Sequence, residues 1–259
     1  MLIKFEKYHG AGNDFIIIDN RIYNLSLTTE QISFLCHRRF GIGADGLMTI
    51  NLHPIFDYEM KYYNSDGKES TMCGNGGRCI AAYAYSKKIA DKKQNFLAKD
   101  GLHHAEIIDS EVRLGMINVD KINFLGDGYF LNTGSPHFVI ITKDIDKIDV
   151  FNEGRKFADD KRFAPERTNV NFISITPPKN TIKIATYERG VEAETLACGT
   201  GAVAAAITAY EAGIVESEEI TLIAKGGTLK VKFRRNEGIY SNIILQGPAI
   251  KVFHGEIEV

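Results

Sequence analysis

The sequence predicts an α/β (α+β) protein with two homologous, pseudo-symmetric domains. Each domain is expected to form a curved mixed β-sheet or barrel around a central helix, with the active site in the cleft between them. Three observations support this prediction: a cysteine-glycine pattern occurs twice, other short patterns repeat at nearly the same spacing, and strand-like runs surround one small-residue helix in each half. The length of 259 residues suits two domains of ordinary size.

The repeated pattern places a cysteine directly before an alanine-rich run. Cys73-Gly74-Asn75-Gly76 returns as Cys198-Gly199-Thr200-Gly201, an offset of 198 − 73 = 125. Glycine allows a sharp turn and alanine favours a helix, so each thiol is predicted at a helix N-terminus. Such a position stabilises a thiolate, and thiol pKa values of about 3.5–7.5 are typical there. Two equivalent activated thiols indicate a matched acid and base.

The duplication extends beyond the cysteines. Phe15–Ile18 corresponds to Phe138–Ile141 at an offset of 138 − 15 = 123. Ala98–Gly101 corresponds to Ala224–Gly227 at an offset of 224 − 98 = 126. Because these offsets change so little along the chain, we predict two halves at 1–117 and 118–259. In one version of this division, about the last ten residues pack with the first half.

The predicted elements follow the same order in each half. In the first half, short apolar runs predict strands. A helix is predicted with Thr28 or Thr29 as its N-cap and Arg38-Arg39 in its last turn. Its strands are predicted at 15–18, 47–50 and 58–63 and as two within 100–119, with helices at 28–40 and 73–89. In the second half, strands are predicted at 138–142, 171–175, 182–187, 220–224, 228–233 and 241–246, with a helix at 198–212 and Gly213 at its end.

Composition excludes several classes of function. A net charge of −2 and a pI near 6.4 give no general attraction to nucleic acid or to an anionic membrane. The sequence has no transmembrane run, no signal-peptide pattern and no usual zinc spacing among its four cysteines, so a reduced, cytoplasmic protein is expected. Gly41–Gly46 matches a dinucleotide-binding pattern, but it follows a predicted helix rather than a strand, so we do not interpret it as a nucleotide site.

Several segments together resemble the diaminopimelate epimerase family. They are His9–Phe15, Tyr63–Gly67, Met72–Cys79, Tyr187–Gly190 and Ala197–Ala202, in the family's order and spacing. The resemblance covers essentially the whole chain. It implies a homodimeric enzyme that interconverts LL- and meso-diaminopimelate without pyridoxal phosphate or metal, and therefore without a cofactor, in the synthesis of lysine and peptidoglycan precursors.

The resemblance also implies roles for individual residues. Cys73 and Cys198 match the two catalytic cysteines, the first as proton donor and the second as acceptor in the LL-to-meso direction. His137 and Glu188 match positions that tune the cysteine pKa values. Substrate-binding positions are matched by Asn13, Asn64, Gly74, Asn75, Asn169, Glu188, Arg189, Gly199 and Thr200. The roles of Asp45 and Ser135 stay open. Some family members have glutamine at the position of Asp45, and many have asparagine at the position of Ser135.

Two other functions are compatible with paired thiols. A proline racemase or hydroxyproline epimerase would use the same cysteine chemistry, but its imino-acid substrate has no distal amino and carboxylate groups for Asn64, Asn169, Glu188 and Arg189 to hold. A non-enzymatic redox switch would join Cys73 and Cys198 in a regulatory disulfide. An oxidised but functional form would identify the switch, whereas oxidation should abolish turnover by an epimerase.

Overall fold

The computed structural model describes residues 1–258. The chain divides into two compact units, one formed by Met1–Leu114 together with the chain from Gly247 onwards, and the other by Gly115–Gln246. The change of unit therefore falls a few residues before position 117, and the segment that returns to the first unit begins at Gly247.

The first half of the chain contains eight strands and three helices. They are β1 (Leu2–Gly10), β2 (Asn13–Asp19), α1 (Asn20–Tyr23), α2 (Thr29–Cys36), β3 (Gly46–Asn51), β4 (Tyr58–Asn64), β5 (Glu69–Ser70), α3 (Gly74–Ser86), β6 (Lys93–Ala98), β7 (Gly101–Ile108) and β8 (Glu111–Gly115).

The second half continues with ten strands and two α-helices, besides short 3-10 turns. They are β9 (Ile122–Phe124), β10 (Tyr129–Asn132), β11 (Pro136–Ile141), α4 (Val150–Ala158), β12 (Asn169–Thr176), β13 (Thr181–Glu188), β14 (Ala193–Thr195), α5 (Gly199–Glu211), β15 (Glu219–Ala224), β16 (Gly227–Asn236), β17 (Ile239–Pro248) and β18 (Ile250–Glu258).

Strand pairing repeats in the two units. In the first, β2 runs parallel to β3, β4 pairs with β3 and β5, and β6 runs parallel to β4 before the antiparallel pairs β6–β7 and β7–β8. In the second, β11–β12, β12–β13, β13–β14, β13–β15, β15–β16 and β16–β17 repeat this pattern with the same directions. The predicted duplication is therefore present in the topology.

Each unit surrounds one central helix. Helix α3 packs against β1, β2, β3, β7 and β18, while α5 packs against strands β10 to β13, β15 and β16. Most side chains of both helices are buried, which is typical of a helix in the centre of a domain. Many are alanine or glycine, which lets strands approach closely on all sides. The predicted mixed fold around a central helix is confirmed.

The structure also has elements that were not predicted, namely the short helix α1 and the strands β1, β5, β6, β9, β10, β14 and β18. Two longer helices differ from the sequence expectation as well. Helix α2 begins after Thr28, one of the two expected N-cap residues, and this residue forms a capping box. The helix ends at Cys36 because His37 adopts an extended conformation. The Arg38-Arg39 pair therefore lies beyond the helix. Helix α4 was not predicted, since its buried positions Val150, Gly154 and Ala158 give too small an apolar stripe to show a helical period.

The small stripe of α4 has a packing function. A Cβ on Gly154 would lie 2.3 Å from Cβ of Tyr187, so the helix can approach β13 only because this residue has no side chain. Tyr187 is fully buried and belongs to a cluster with Val170 and Phe172. This contact fixes the strand that carries Glu188 and leads to Arg189.

Candidate active site

Cys73 is the N-cap residue of α3 and is partly buried. Its Sγ–H donates to Oδ1 of Asn13 over 3.6 Å, and Asn75 Nδ2 donates to the same oxygen over 3.2 Å. The side-chain oxygen of Asn13 thus accepts two hydrogen bonds from the start of the helix. This geometry favours the protonated form of Cys73, since a thiolate has no proton to donate.

A fully buried arginine holds the start of α3. Arg78 Nη2 donates to Asn75 Oδ1 over 2.8 Å, and its Nη1 donates to the Gly74 carbonyl over 3.2 Å. Because Asn75 Oδ1 is occupied by the guanidinium, its Nδ2 must face Asn13. Arg78 was not predicted from the sequence as a site residue, although a charged residue within an otherwise small and apolar helix could have indicated it.

Asp45 orients the other end of the Asn13 amide. Asn13 Nδ2 donates to Asp45 Oδ2 over 2.7 Å, which leaves Asn13 Oδ1 facing Cys73. Arg38 bridges Asp45 and Asp14, with distances of 2.7 Å to each carboxylate. Asp45, whose role the sequence left open, therefore contacts the candidate substrate-binding residue Asn13 directly.

Asp14 is the first-unit counterpart of His137 in the repeat. Its carboxylate forms ion pairs with Lys7 at 2.8 Å and Arg38 at 2.7 Å. Partial burial alone would raise the pKa of Asp14, but hydrogen bonds from Arg38 and Lys7 hold that pKa well below its usual range. Asp14 is therefore a charged carboxylate at neutral pH.

Asn64 lies at the same edge of the sheet as Asn13 and Asp45. It is the last residue of β4, is exposed, and pairs in register with Gly46, which in turn pairs with Phe15. Asn13, Asp45 and Asn64 thus lie at neighbouring strand ends. The Gly67 N–H donates to the Asn64 carbonyl over 2.9 Å and closes the turn that follows.

Cys198 is the N-cap residue of α5 and is buried. Its Sγ accepts the Gly201 backbone N–H at 3.4 Å, and Thr200 Oγ1 lies 3.4 Å from the same sulfur. His137 Nε2 lies 2.9 Å from Thr200 Oγ1. An N–H donor directed at the sulfur, at a helix N-terminus, favours the thiolate of Cys198. The two cysteines therefore have opposite hydrogen-bonding environments.

His137 is fully buried and neutral. Burial, with a smaller contribution from the charge of Arg189, lowers the pKa of His137 from 6.5 to about 3. Asn171 Nδ2 lies 2.9 Å from its Nδ1. The ring therefore acts as an uncharged hydrogen-bonding group beside Thr200. Asn171 was not selected from the sequence, although it stands out as an amide within a buried apolar strand.

Asn169 links three elements of the second unit. Its Nδ2 donates to Ser135 Oγ over 2.9 Å, and its Oδ1 accepts the backbone N–H of Arg189 over 2.9 Å. Asn169 also pairs in register with His137 across β11 and β12. Ser135, whose role the sequence left open, supports Asn169 in this structure. Half-buried Glu188 ends β13, one residue beyond the Val170–Tyr187 pair.

Arg189 and the loop after it are held by backbone and ionic contacts. The Arg189 guanidinium donates to the carbonyl oxygens of Glu166 and Arg167. Glu192 accepts two hydrogen bonds from Arg167, at 2.7 and 2.9 Å, and one from the Gly190 N–H at 2.9 Å. Hydrogen bonds from Arg167 lower the pKa of Glu192 to about 2. The loop is thus held around the Arg167–Glu192 ion pair, which was not predicted from the sequence.

All four cysteines are thiols. Cys36 and Cys79 are buried at 2% and 0% relative exposure, as expected for small apolar residues. Burial raises the pKa of the Cys36 thiol to about 12 and raises the pKa of Cys79 still more strongly. Neither is suited to acid–base chemistry at neutral pH, in contrast to the two N-cap cysteines.

Neither a metal centre nor a membrane helix is found in the part of the chain that the structure describes. Within residues 1–258, no group of three or more His, Cys, Asp or Glu side chains is placed to hold a metal ion. Over the same residues, no helix is both long enough and apolar enough to span a bilayer.

Solved structures with this architecture define the fold class. A phenazine biosynthesis protein of the PhzF family from Bacillus anthracis has 14% identity and a TM-score of 0.78, with 100% of both chains covered. A hydroxyproline epimerase from Agrobacterium vitis has 13% identity and a TM-score of 0.66, with 99% of this chain and 91% of that chain covered. At such low identities the likeness establishes only the fold, a duplicated α/β fold shared by PhzF-type proteins and amino-acid epimerases.

Sequence relatives identify the family within this class. The family model for diaminopimelate epimerase matches residues 5–122 and 129–252. Diaminopimelate epimerase from Flavobacterium psychrophilum is 47% identical over 257 residues, covering 98% of this chain and 100% of that protein. The enzyme from Chlorobaculum tepidum is 44% identical, covering 96% and 98%. The chain belongs to the diaminopimelate epimerase family.

The buried neutral His137 should make the fold sensitive to acid. The unfolded chain binds a proton near pH 6.5, whereas folded His137 does so only near pH 3, so its contribution to stability is full above pH 6.5 and is lost as the pH falls between these values. We expect this residue to lower the free energy of unfolding by up to about 1.4 kcal/mol per pH unit in that window. Denaturant unfolding of the wild type and of His137→Gln over this range measures the difference, and equal slopes would contradict the prediction.

Proposed function

We propose that this protein interconverts LL- and meso-diaminopimelate by moving the α-proton between two thiols. The observation that carries the proposal is the contrast between its two N-cap cysteines: Cys73 donates a hydrogen bond to Asn13, whereas Cys198 accepts one from Gly201. A two-base epimerase needs one thiol and one thiolate at the start of the reaction. Membership of the family supports diaminopimelate as the substrate and a place in lysine and peptidoglycan precursor synthesis.

The proposed chemistry is a proton exchange with inversion. The Cys198 thiolate takes the α-proton, the C–H electron pair stays on the substrate as a carbanion, and Cys73 delivers its proton to the opposite face of that carbon. The enzyme is left with a thiol at Cys198 and a thiolate at Cys73, ready for the reverse reaction. The proposal therefore requires both thiols to act on the same carbon.

Backbone donors at the two helix starts suit the substrate carboxylate. The first-turn N–H groups of an α-helix have no partners within the helix, and the helix dipole favours an anion there. We assign Gly74 and Asn75 of α3 and Gly199 and Thr200 of α5 to this role. Hydrogen bonds to the carboxylate strengthen as the carbanion forms, because its charge spreads onto those oxygens.

The distal end of diaminopimelate carries an amino group and a carboxylate. We assign the carboxylate to Arg189 and the ammonium to Glu188, with Asn13, Asn64 and Asn169 as further contacts. The family resemblance supports this assignment, and two hydrogen bonds from Arg189 Nη1 to backbone carbonyls hold the guanidinium in place beside Asn169, which accepts the Arg189 N–H. The guanidinium fork can bind a carboxylate through two parallel hydrogen bonds. His137 and Glu188 are proposed to adjust the thiol pKa values.

We expect Cys73→Ala and Cys198→Ala each to abolish epimerisation while leaving the protein folded. Each removes one of the two proton carriers that the proposed reaction requires. Incubation of purified protein with LL-diaminopimelate in deuterated water, followed by proton NMR, measures both inversion and α-hydrogen exchange. Cys36→Ala and Cys79→Ala serve as matched controls and should keep activity, since those thiols are buried and of high pKa. Substantial epimerisation by either N-cap variant would refute the two-thiol mechanism.

Arg189→Lys and Glu188→Gln should each weaken catalysis on diaminopimelate. Loss of a charge-assisted hydrogen bond costs roughly 1.5–3 kcal/mol, or about tenfold to a hundredfold in kcat/KM. Lysine, which lacks the distal carboxylate, should be a very poor substrate for the wild type. Steady-state rates with diaminopimelate, lysine and proline make the comparison. Proline turnover equal to that of diaminopimelate would instead favour the racemase or hydroxyproline epimerase alternative.

We also propose that the protein is a cytoplasmic homodimer. Support comes from the family resemblance and from β18, on which Ile250, Val252 and Phe253 are 45–55% exposed. A run of exposed apolar side chains is typical of an association surface. Light scattering should give a dimer for the wild type and a monomer for Val252→Asp. Ile55→Asp, at an exposed apolar residue elsewhere, is the control. A monomeric wild type would overturn the dimer proposal.

A further inference from the structure

A chain of hydrogen-bonding groups connects the interior of the second unit with Cys198. His137 Nε2 lies 2.9 Å from Thr200 Oγ1, which lies 3.4 Å from the sulfur. The direction of these bonds depends on which ring nitrogen carries the proton. With the proton on Nε2, His137 donates to Thr200 and the Thr200 hydroxyl can donate to the sulfur. With the proton on Nδ1, Thr200 donates to Nε2 and no hydroxyl proton faces Cys198.

Asn171 contacts the other ring nitrogen of His137. Its Nδ2 lies 2.9 Å from His137 Nδ1, and its Oδ1 accepts the Thr186 hydroxyl over 2.9 Å. With Oδ1 engaged by Thr186, the amide N–H is directed at Nδ1. A neutral imidazole that accepts at Nδ1 carries its proton on Nε2.

A second amide approaches Nε2 but does not determine its state. Asn169 Nδ2 lies 3.5 Å from His137 Nε2, at the outer limit of a hydrogen bond, and forms a 2.9 Å bond to Ser135 Oγ instead. Its Oδ1 is fixed by the Arg189 N–H. The shorter contact of Nε2, at 2.9 Å, is to Thr200. The distances thus favour donation from His137 to Thr200.

We propose that Asn171 is a positioning residue that holds His137 in the Nε2–H tautomer and thereby directs the Thr200 hydroxyl proton to the Cys198 sulfur. The hydrogen bonds of Asn171 join it to His137 and Thr186, so it acts on the sulfur through the ring. The comparable group beside a catalytic histidine in serine proteases is a carboxylate, which selects the opposite tautomer. An amide at this place gives the thiolate one more hydrogen-bond donor. The inference rests on the proposed role of Cys198 as the base.

The test exchanges the amide for groups of nearly the same shape. Asn171→Asp replaces the donor at Nδ1 by an acceptor, so the ring proton should move to Nδ1 at neutral and alkaline pH. Asn171→Leu removes the donor without adding an acceptor. Ser174→Ala, a buried polar residue of the same strand, is the matched control and should behave as wild type. Nitrogen-15 NMR reports which nitrogen of His137 is protonated, with the signal assigned by its loss in His137→Gln.

Two further measurements separate positioning from structural support. The pH dependence of Cys198 alkylation by iodoacetamide, followed on its peptide by mass spectrometry, should shift to higher pH in Asn171→Asp. The value of kcat should fall by about tenfold to a hundredfold, the range seen when the partner that orients a metal-bound histidine is lost, with little change in KM. Thermal unfolding shows whether each variant is folded.

The outcomes divide clearly. The inference is supported if His137 of the wild type is protonated on Nε2 and if, in Asn171→Asp, the proton lies on Nδ1 and Cys198 alkylation shifts to higher pH. A wild-type proton on Nδ1 overturns it and needs no variant to fold. It is also overturned if Asn171→Asp lowers stability but leaves the tautomer and alkylation profile unchanged. Because these two readouts do not require turnover, failure to epimerise diaminopimelate would reject the proposed function without deciding the role of Asn171.

Discussion

The site depends on burying the first turn of a helix built from small residues. The backbone N–H groups of that turn have no partners within the helix, so they are available to a sulfur at the N-cap or to an anion. Helices α3 and α5 meet this condition because glycine and alanine allow strands to pack close around them. The functional side chains then lie on the strand ends that surround each helix start.

The two units share a backbone but differ in the polar groups built on it. At one helix start, Cys73 donates to an amide oxygen that Arg78, Asn75 and Asp45 hold in place. At the other, Cys198 accepts a backbone N–H beside a neutral histidine. Gene duplication explains the equal positions of the two sulfurs. The different protonation that they favour arises from side chains around them rather than from the main chain.

The sequence was sufficient for those features that are encoded locally. The N-cap cysteines, most strands and both central helices follow from short patterns that occur twice, and the family follows from their order. The supporting polar groups are different, because their partners are distant in sequence. Asp45 reaches Asn13 from the residue that precedes β3, and Arg78 looks like a surface charge until its burial is seen. Helix α4 was missed because Gly154, its closest contact with β13, carries no apolar signal.

The tight packing beneath α5 limits how this site can change in evolution. Alanine normally suits a helix better than glycine. A methyl group on Gly201, however, would lie 2.5 Å from Asn171 Oδ1 and 3.3 Å from His137 Cε1. A larger residue at 201 therefore requires the Asn171 side chain to move or to be replaced by a smaller one, and either change disturbs its contact with His137. Substitutions at positions 201 and 171 are therefore coupled. A lineage that gains helix stability by replacing Gly201 passes through a variant in which the hydrogen bonding of His137 is altered.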